Sequence, residues 1–419
     1  MKILVIGSGG REHALCWKIK QSSKVTHLYC APGNGGISEI AQCVDIKADD
    51  IVALADFVHQ EKIDLTVVGP EVPLVAGIVD LFEEEGLRVF GPSKAAARLE
   101  GSKVFSKNFM KRWEIPTAKY ASFSDMNAAL SYLAEVRCPV VVKASGLAAG
   151  KGVIICHDRQ QAETAVRQIM GERIFKDAGT SLVVEEFLEG EEVSVLAVCD
   201  GKDFLLLQSS QDHKRVFDDD KGPNTGGMGA YSPAPVATPG LLKTIAETII
   251  RPVVEGMAEE GSPFKGILYA GVMVTSEGPK VLEFNTRFGD PEAQAILPRL
   301  KTDLVDVLLA SAEGRLGDVV LEWDDRACVC VVMASGGYPG EYAAGREIEG
   351  LLDVPAETIV FHAGTRRDGE KVLTSGGRVL GVTALGEGIA LAIEKAYAGV
   401  ARISFDGAHW RKDIGKRAL

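Results

Sequence analysis

The sequence predicts a multidomain protein of mixed α/β and α+β class, and three observations carry that reading. Strand-like and helical segments alternate through the first hundred residues, the pattern of a parallel sheet with crossover helices. A second set of strands in the middle of the chain is joined by glycine-rich turns rather than by helices. The last ninety residues return to short strands around one helix, Gly388–Val400. A chain of 419 residues has room for about two to four domains.

In the N-terminal part the strand candidates are Lys2–Ile6, Val25–Cys30, Asp64–Val68 and Leu87–Phe90, separated by helical patterns at Glu12–Lys20, Ile51–Gln60 and Val75–Glu85. This is a Rossmann-like arrangement. Each strand runs into a turn rich in glycine or proline: Gly7-Ser8-Gly9-Gly10, Ala31-Pro32-Gly33, Gly69-Pro70-Glu71 and Gly91-Pro92-Ser93. Such turns line the carboxyl edge of the sheet, where these folds bind ligands. The first turn is not a dinucleotide fingerprint. Glu12 replaces the third glycine, and the second strand ends in Ala31-Pro32 instead of an acid for a ribose hydroxyl. A glycine turn opening a helix, with Arg11 beside it, suits a single phosphate; the alternative is a plain tight turn.

Composition narrows the function classes. The net charge of −12 argues against a nucleic-acid footprint. No apolar run approaches a membrane span, and the first seven residues are too short for a secretion signal. Eight cysteines at 16, 30, 43, 138, 156, 199, 328 and 330 form no CxxC pair, which is the usage of a reduced, cytoplasmic protein. Seven dispersed histidines offer no metal cluster. The alternating Cys328 and Cys330 read as core.

In the middle of the chain a helix starts at Gly101-Ser102-Lys103 and ends before Ile115-Pro116. Pro139–Lys143 and Val153–Cys156 are strands around the glycine-rich loop 144–152. That loop fails as a Walker A motif, because Ser145 stands for the first glycine and Gly152 for the Ser/Thr. A strand follows it, so phosphates would lie under a hairpin flap flanked by Lys143 and by Gly150-Lys151. The strand Leu182–Leu188 carries Glu185 and Glu186; its end can offer backbone groups to an adenine edge, and Glu192 can accept from ribose hydroxyls. Exposed acids are also commonly just solvated.

Asp212-His213-Lys214-Arg215 follows the strand Phe204–Gln208 and precedes a glycine-rich run, 222–233, that reads as a mobile active-site loop. Asp212 can hold an ammonium, and Lys214 and Arg215 can hold phosphate; a charged surface turn is the alternative. In Lys280–Glu292, Glu283 and Asn285 lie two apart on a strand and share a face. Their hard oxygens suit Mg²⁺ when substrate phosphates complete its shell, and Arg287 adds a cationic fork. A strand entering a solvated acidic turn is the plain alternative. In the last part, Arg326–Met333, Ile359–Ala363, Val379–Thr383 and Ile403–Phe405 are strand candidates, and nothing there reads as catalytic.

Taken together, Lys103, Lys143 with its flap, Glu185-Glu186-Phe187-Leu188, Glu192 and Glu283-x-Asn285-x-Arg287 resemble the ATP-grasp superfamily. Within it the chain resembles the phosphoribosylamine–glycine ligase family. That likeness is carried by Gly9-Gly10-Arg11-Glu12-His13-Ala14, Gln211–Arg215, Gly222–Pro233, Arg287–Glu292 and Arg411–Gly415. Ser145 departs from the acid expected after the flap's first lysine and alanine.

The resemblance implies an N-terminal substrate-binding domain at 1–102, an ATP-grasp domain at 103–325 with its flap lobe at about 117–190, and a C-terminal domain at 326–419. It implies ATP-dependent ligation of glycine to 5-phosphoribosylamine through glycyl phosphate, in purine synthesis, by a monomer with Mg²⁺ or Mn²⁺. Implied ATP contacts are Lys103, Lys143, Gly150, Lys151, Glu185, Glu186, Leu188 and Glu192; metal ligands are Glu283 and Asn285. Catalytic roles fall to Arg287, Asp212 and Lys214, and substrate contacts to Gly9, Gly10, Arg11, Glu71, Arg215, Gly289 and Asp290. The rivals are other ATP-grasp enzymes of purine synthesis, a biotin-dependent carboxylase and a nucleotide-binding regulator. A regulator would need no second, phosphate-bearing substrate site.

Overall fold

In the computed structural model, which describes residues 1–148 and 152–419, five parallel strands open the fold. Their order is Gln42–Cys43, His27–Pro32, Lys2–Gly7, Leu65–Val68, Val89–Phe90. Within Lys2–Gly7, Ile3–Ile6 is an unbroken apolar run because both its faces are covered. Ile3 and Val5 pack with Leu15, Ile19 and Leu297, whereas Leu4 and Ile6 pack with Leu54, Val58 and Phe82. The chain moves outward from this central strand and then returns to its other side. That reversal opens a crevice at the carboxyl ends of Lys2–Gly7 and Leu65–Val68. The turns carrying Gly9 and Glu71 flank it. The helix expected at Val75–Glu85 is two helices, Glu71–Ala76 and Ile78–Glu84, because Gly77 turns the chain at φ 98°.

Two antiparallel sheets make the middle of the molecule. One has the order Tyr120–Phe123, Leu182–Glu186, Val140–Ala144, Val153–Cys156, with helices Met126–Leu133 and Arg159–Val166 packed on it. The other has the order Phe204–Leu206, Glu191–Asp200, Lys265–Thr275, Gly278–Asn285. Gly278–Asn285 contains a bulge, since Gly271 pairs with Glu283 while the adjacent Val272 pairs with Val281. The extra residue is Leu282. It shifts the alternation, so Val281 and Phe284 both enter the core while Leu282, Glu283 and Asn285 reach the cleft.

The third sheet corrects the expected loop. Its order is Gln211–Asp212, Gly229–Ser232, Ala327–Ala334, Arg378–Gly386, Thr358–His362. The glycine-rich run is therefore largely ordered. Lys221–Asn224 pairs with Arg215–Phe217, and the buried Gly229–Ser232 pairs with Ala327–Ala334 on one side and Gln211–Asp212 on the other. The run has no core of its own, but it borrows one from the last sheet, where Met228 and Tyr231 pack against Val329 and Val331. Ile403–Phe405 is not a strand either. Only Ser404 bridges, to Glu349, and the flanking Ile403 and Phe405 are buried packing residues. All eight cysteines are free thiols. Among the described residues, no helix is long and apolar enough to cross a membrane.

Candidate active site

A cavity of about 790 Å³ opens where the three sheets and the N-terminal crevice meet. Its walls include Arg11, Glu71, Lys103, Lys143, Glu185, Glu186, Leu188, Glu192, Asp212, Lys214, Arg215, Glu283, Asn285, Arg287 and Asp290. Gly150 and Lys151 lie outside the described residues.

At one end, buried Glu185 is shared by two lysines. Its Oε2 is 3.0 Å from Lys143 Nζ and 3.1 Å from Lys107 Nζ. Lys143 also donates to Leu282 O at 3.1 Å, the carbonyl exposed by the bulge. Burial lowers Lys107 to about 8, with Glu185 opposing the drop. Glu185 Oε1 is buried and has no hydrogen-bond partner among the described residues. Lys103 makes no side-chain hydrogen bond or ion pair with a described residue. It opens the helix Lys103–Arg112, where Ser102 Oγ accepts from Phe105 N at 3.2 Å. Ser145 reinforces that start: its carbonyl accepts from Lys103 N at 2.8 Å and its Oγ from Val104 N at 3.3 Å. The serine in place of an acid thus supplies a neutral cap. Glu186 turns its carboxylate to Lys119 N, 2.9 Å away.

Glu283 faces a ring of cations. Burial raises its pKa, but Lys214, Lys103, Lys143 and Arg287 outweigh burial and hold it below the usual carboxylate range. The neighbouring Arg287 has a crowded fork. It meets Glu100 at 2.9 Å, Glu71 at 3.4 Å and Asn285 Oδ1 at 3.3 Å. Glu100 in turn accepts from Thr286 N at 2.7 Å, which fixes the turn after the strand. As a metal site, Glu283 and Asn285 provide two hard oxygen donors. Among the described residues, no group of three or more His, Cys, Asp or Glu side chains is arranged to hold an ion. The donor set therefore fits a cation that takes its remaining ligands from phosphate and water, as Mg²⁺ does.

Opposite lies an acidic cluster. Lys214 pairs with Glu192, and Asp212 and Glu292 lie close by. Burial pushes Asp212 up to about 8; Lys214 pulls it down, while Glu292 and Glu192 reinforce the rise. Burial also opposes the charge on Lys214, but Glu192, Asp212 and Glu283 together hold its pKa well above the usual range. Glu292 Oε1 accepts from Tyr269 OH at 2.8 Å and from Ser194 Oγ at 3.3 Å. Among the described residues this end of the cavity gathers Asp212, Glu192 and Glu292 around Lys214, which is chemistry for an incoming ammonium.

The first glycine turn is occupied by its own chain. Glu12 Oε2 accepts from Gly9 N at 2.6 Å, and Oε1 accepts from Arg11 Nε at 2.5 Å. The carboxylate that breaks the fingerprint sits where an anion would meet the helix start. Gly9, Gly10 and Gly289 do not line the cavity. A Cβ on them would come within 2.8 Å of Glu12, 2.5 Å of Gln294 and 2.3 Å of Glu292, so each glycine lies against the end of a neighbouring side chain. Arg215 donates to Gly222 O at 2.7 Å inside its hairpin. Replacing Glu12 with alanine should leave the buried Arg11 with the Phe288 carbonyl but without its ion-pair partner, and lower stability by about 2 kcal/mol, read by urea unfolding. An unchanged midpoint would remove Glu12 as the keystone of this turn.

The last domain, where nothing in the sequence reads as catalytic, closes one side of the cleft and reaches the site with several side chains. Arg378 Nη1 donates to Asp290 O at 2.7 Å and to Gly226 O at 2.6 Å, and Asp290 Oδ2 accepts from Arg11 N at 3.3 Å. Burial raises Asp290, but Arg378 and Arg11 hold it low. Arg378, Arg417, Tyr338 and Tyr342 all line the cavity. Isolated side chains far along the sequence gave no local pattern to find them. Lys107 had a weak signal, one helical turn after Lys103 on the same face.

Comparison with known proteins agrees across the chain. The phosphoribosylglycinamide synthetase family model matches residues 1–100 as its N domain, 101–293 as its ATP-grasp (A) domain and 328–417 as its C domain. The phosphoribosylamine–glycine ligase of Escherichia coli (strain K12) is 54% identical across 100% of this chain and 99% of its own. That of Caldanaerobacter subterraneus subsp. tengcongensis is 51% identical across 99% of each. The crystal structure of phosphoribosylamine–glycine ligase from Thermotoga maritima superposes with a TM-score of 0.87 at 33% identity, covering 99% of this chain and 100% of that one. The biotin carboxylase domain of the Hydrogenobacter thermophilus 2-oxoglutarate carboxylase shares the fold, with a TM-score of 0.75 at 18% identity over 98% of this chain and 91% of that one. With each domain matched in turn and more than half the residues identical from end to end, this chain belongs to the phosphoribosylglycinamide synthetase family.

Proposed function

We propose that this chain ligates glycine to 5-phosphoribosylamine at the expense of ATP, giving glycinamide ribonucleotide, ADP and phosphate. This is the second step of purine synthesis de novo. The observation that carries the reading is one cleft with two chemistries: a lysine-rich end beside Glu283 and Asn285, and an acid-rich end around Asp212. Phosphates suit the first and glycine's ammonium the second. A nucleotide sensor would need only the first.

ATP lies between the sheet that carries Lys143 and the sheet that carries Glu283 and Asn285, with Lys103 and Lys143 facing its phosphates and Glu192 near its ribose. Glu185, Glu186 and Leu188 lie along the nucleotide. Glu283 and Asn285 would hold Mg²⁺ or Mn²⁺, which when bound neutralises charge on the β- and γ-phosphate oxygens. A carboxylate oxygen of glycine attacks the γ-phosphorus and the bond to ADP breaks, leaving glycyl phosphate. The 1-amino group of phosphoribosylamine then attacks the acyl carbon, phosphate leaves and the nitrogen loses a proton. The chain's part is positioning and charge neutralisation. Arg287, locked by Glu71 and Glu100, holds a fixed positive charge near the acyl phosphate. Arg11, Arg215 and Asp290 line the phosphosugar's side. We take the protein to be monomeric and cytoplasmic, without membrane or nucleic-acid partners; the net charge of −12 supports the last of these.

The test is ADP release with glycine alone, phosphoribosylamine alone, and both. Sustained release only with both is expected, and ¹⁸O from the glycine carboxylate should appear in inorganic phosphate. Label in AMP would overturn the acyl-phosphate route.

Asp212 gives this reading a pH signature. Its carboxyl keeps a proton in the free protein up to about 8, and an ammonium favours the ionised form, so glycine binding should release close to one proton below that value. Glycine affinity should therefore rise with pH and level off near 8, and Asp212→Asn should abolish both effects. For the free protein the sign is reversed: the stability gained from this raised pKa is present in acid and lost as pH climbs from 3.8 towards 8. Calorimetry in buffers of different ionisation enthalpy measures the proton count. No release would take Asp212 out of the ammonium site.

A further inference from the structure

Residues 409–417 run along the back of the hairpin that carries Asp212 and Lys214. On that hairpin Asp212 and Lys214 line the cavity, while His213, between them, points the other way. His213 Nε2 accepts from Gly415 N at 3.0 Å, and burial keeps the ring neutral with a pKa near 3. Arg417 Nη2 donates to Asp212 O at 2.8 Å. Further along, Arg411 is 1% exposed and bonds Arg215 O at 3.1 Å and Asp220 Oδ1 at 2.7 Å.

The turn needs this support. Asp219 and Asp220 stand at φ 57° and 52°, in the left-handed region that disfavours residues with a Cβ. Asp219 N is bonded to Asp413 Oδ2 at 2.9 Å, and Arg411 holds Asp413 through two hydrogen bonds, at 2.8 and 2.7 Å. The front edge of the hairpin is fixed separately, by Thr225 on Lys214 O. The segment therefore grips what the sheet leaves open.

We propose that residues 409–417 clamp the Asp212–Lys214 hairpin, with Arg417 as the positioning residue that sets where Asp212 meets glycine's ammonium. Placing glycine there rests on the ligase reading. Because Arg417 is exposed at the cavity mouth and makes one hydrogen bond among the described residues, its replacement should leave the fold intact. Arg417→Ala should raise the KM for glycine about tenfold, the loss expected for one charge-assisted hydrogen bond, with KM for ATP and the melting temperature unchanged. Arg417→Lys should recover part of it. Hydrogen exchange of residues 211–214, around the carbonyl that Arg417 holds, should quicken in Arg417→Ala and nowhere else. Wild-type values for both glycine KM and exchange would overturn the proposal, as would a fall in melting temperature with both KM values rising together. If the wild-type protein fails to ligate glycine, the functional reading falls, and the clamp is then decided by the exchange measurement alone.

Discussion

Glu283→Gln abolishes ligation while the fold survives: kcat/KM falls by at least two orders of magnitude, about 3 kcal/mol of transition-state stabilisation. The substitution keeps the side chain's shape. It removes the charge that balances Lys214, Lys103, Lys143 and Arg287, and with it one of two hard donors facing the cleft. Four cations would then repel one another, and a metal would keep only Asn285. Saturating Mg²⁺ should restore little, because the amide oxygen is the weaker ligand. Turnover near the wild-type value at high Mg²⁺ would remove Glu283 from the metal site.

The second large effect is expected at Lys143. It is 5% exposed and holds Glu185 at 3.0 Å and Leu282 O at 3.1 Å. Lys143→Ala removes a charged hydrogen bond, worth roughly 2 kcal/mol, and a cation that would face the phosphates. The KM for ATP should rise about thirtyfold or kcat fall by as much, while glycine binding measured by calorimetry changes little. Lys107 still neutralises Glu185 at 3.1 Å, so the protein should remain folded. Unaltered ATP kinetics would make the lysine a structural partner of Glu185 only.

The Gly10→Val substitution, which the first turn would suggest as a probe of phosphosugar binding, is a poor one. Its side chain would meet Gln294 before any ligand, so lost activity would report packing. Arg11 and Asp290 are better probes because both reach the cavity.

Much of the site could be read from the sequence because it lies on local patterns. Two residues apart on a strand means one face, which joins Glu283 to Asn285. A glycine hairpin between two strands places Lys143 beside a flap, and a broken fingerprint excludes a dinucleotide. Covalent spacing settles such relations before the chain folds. The tertiary structure decided the rest. The bulge at Leu282 depends on pairing with Gly271 and Val272, so it cannot be seen in Gly278–Asn285 alone. The glycine-rich run becomes a strand because the last sheet lends it a core. Glu100, Arg378 and Arg417 enter the site from distant segments, through hydrogen bonds and ion pairs that no periodicity announces. Sequence patterns report which face a residue shares with its neighbours in the chain. Which remote charge answers it is fixed only when burial makes an unpaired charge too costly to leave.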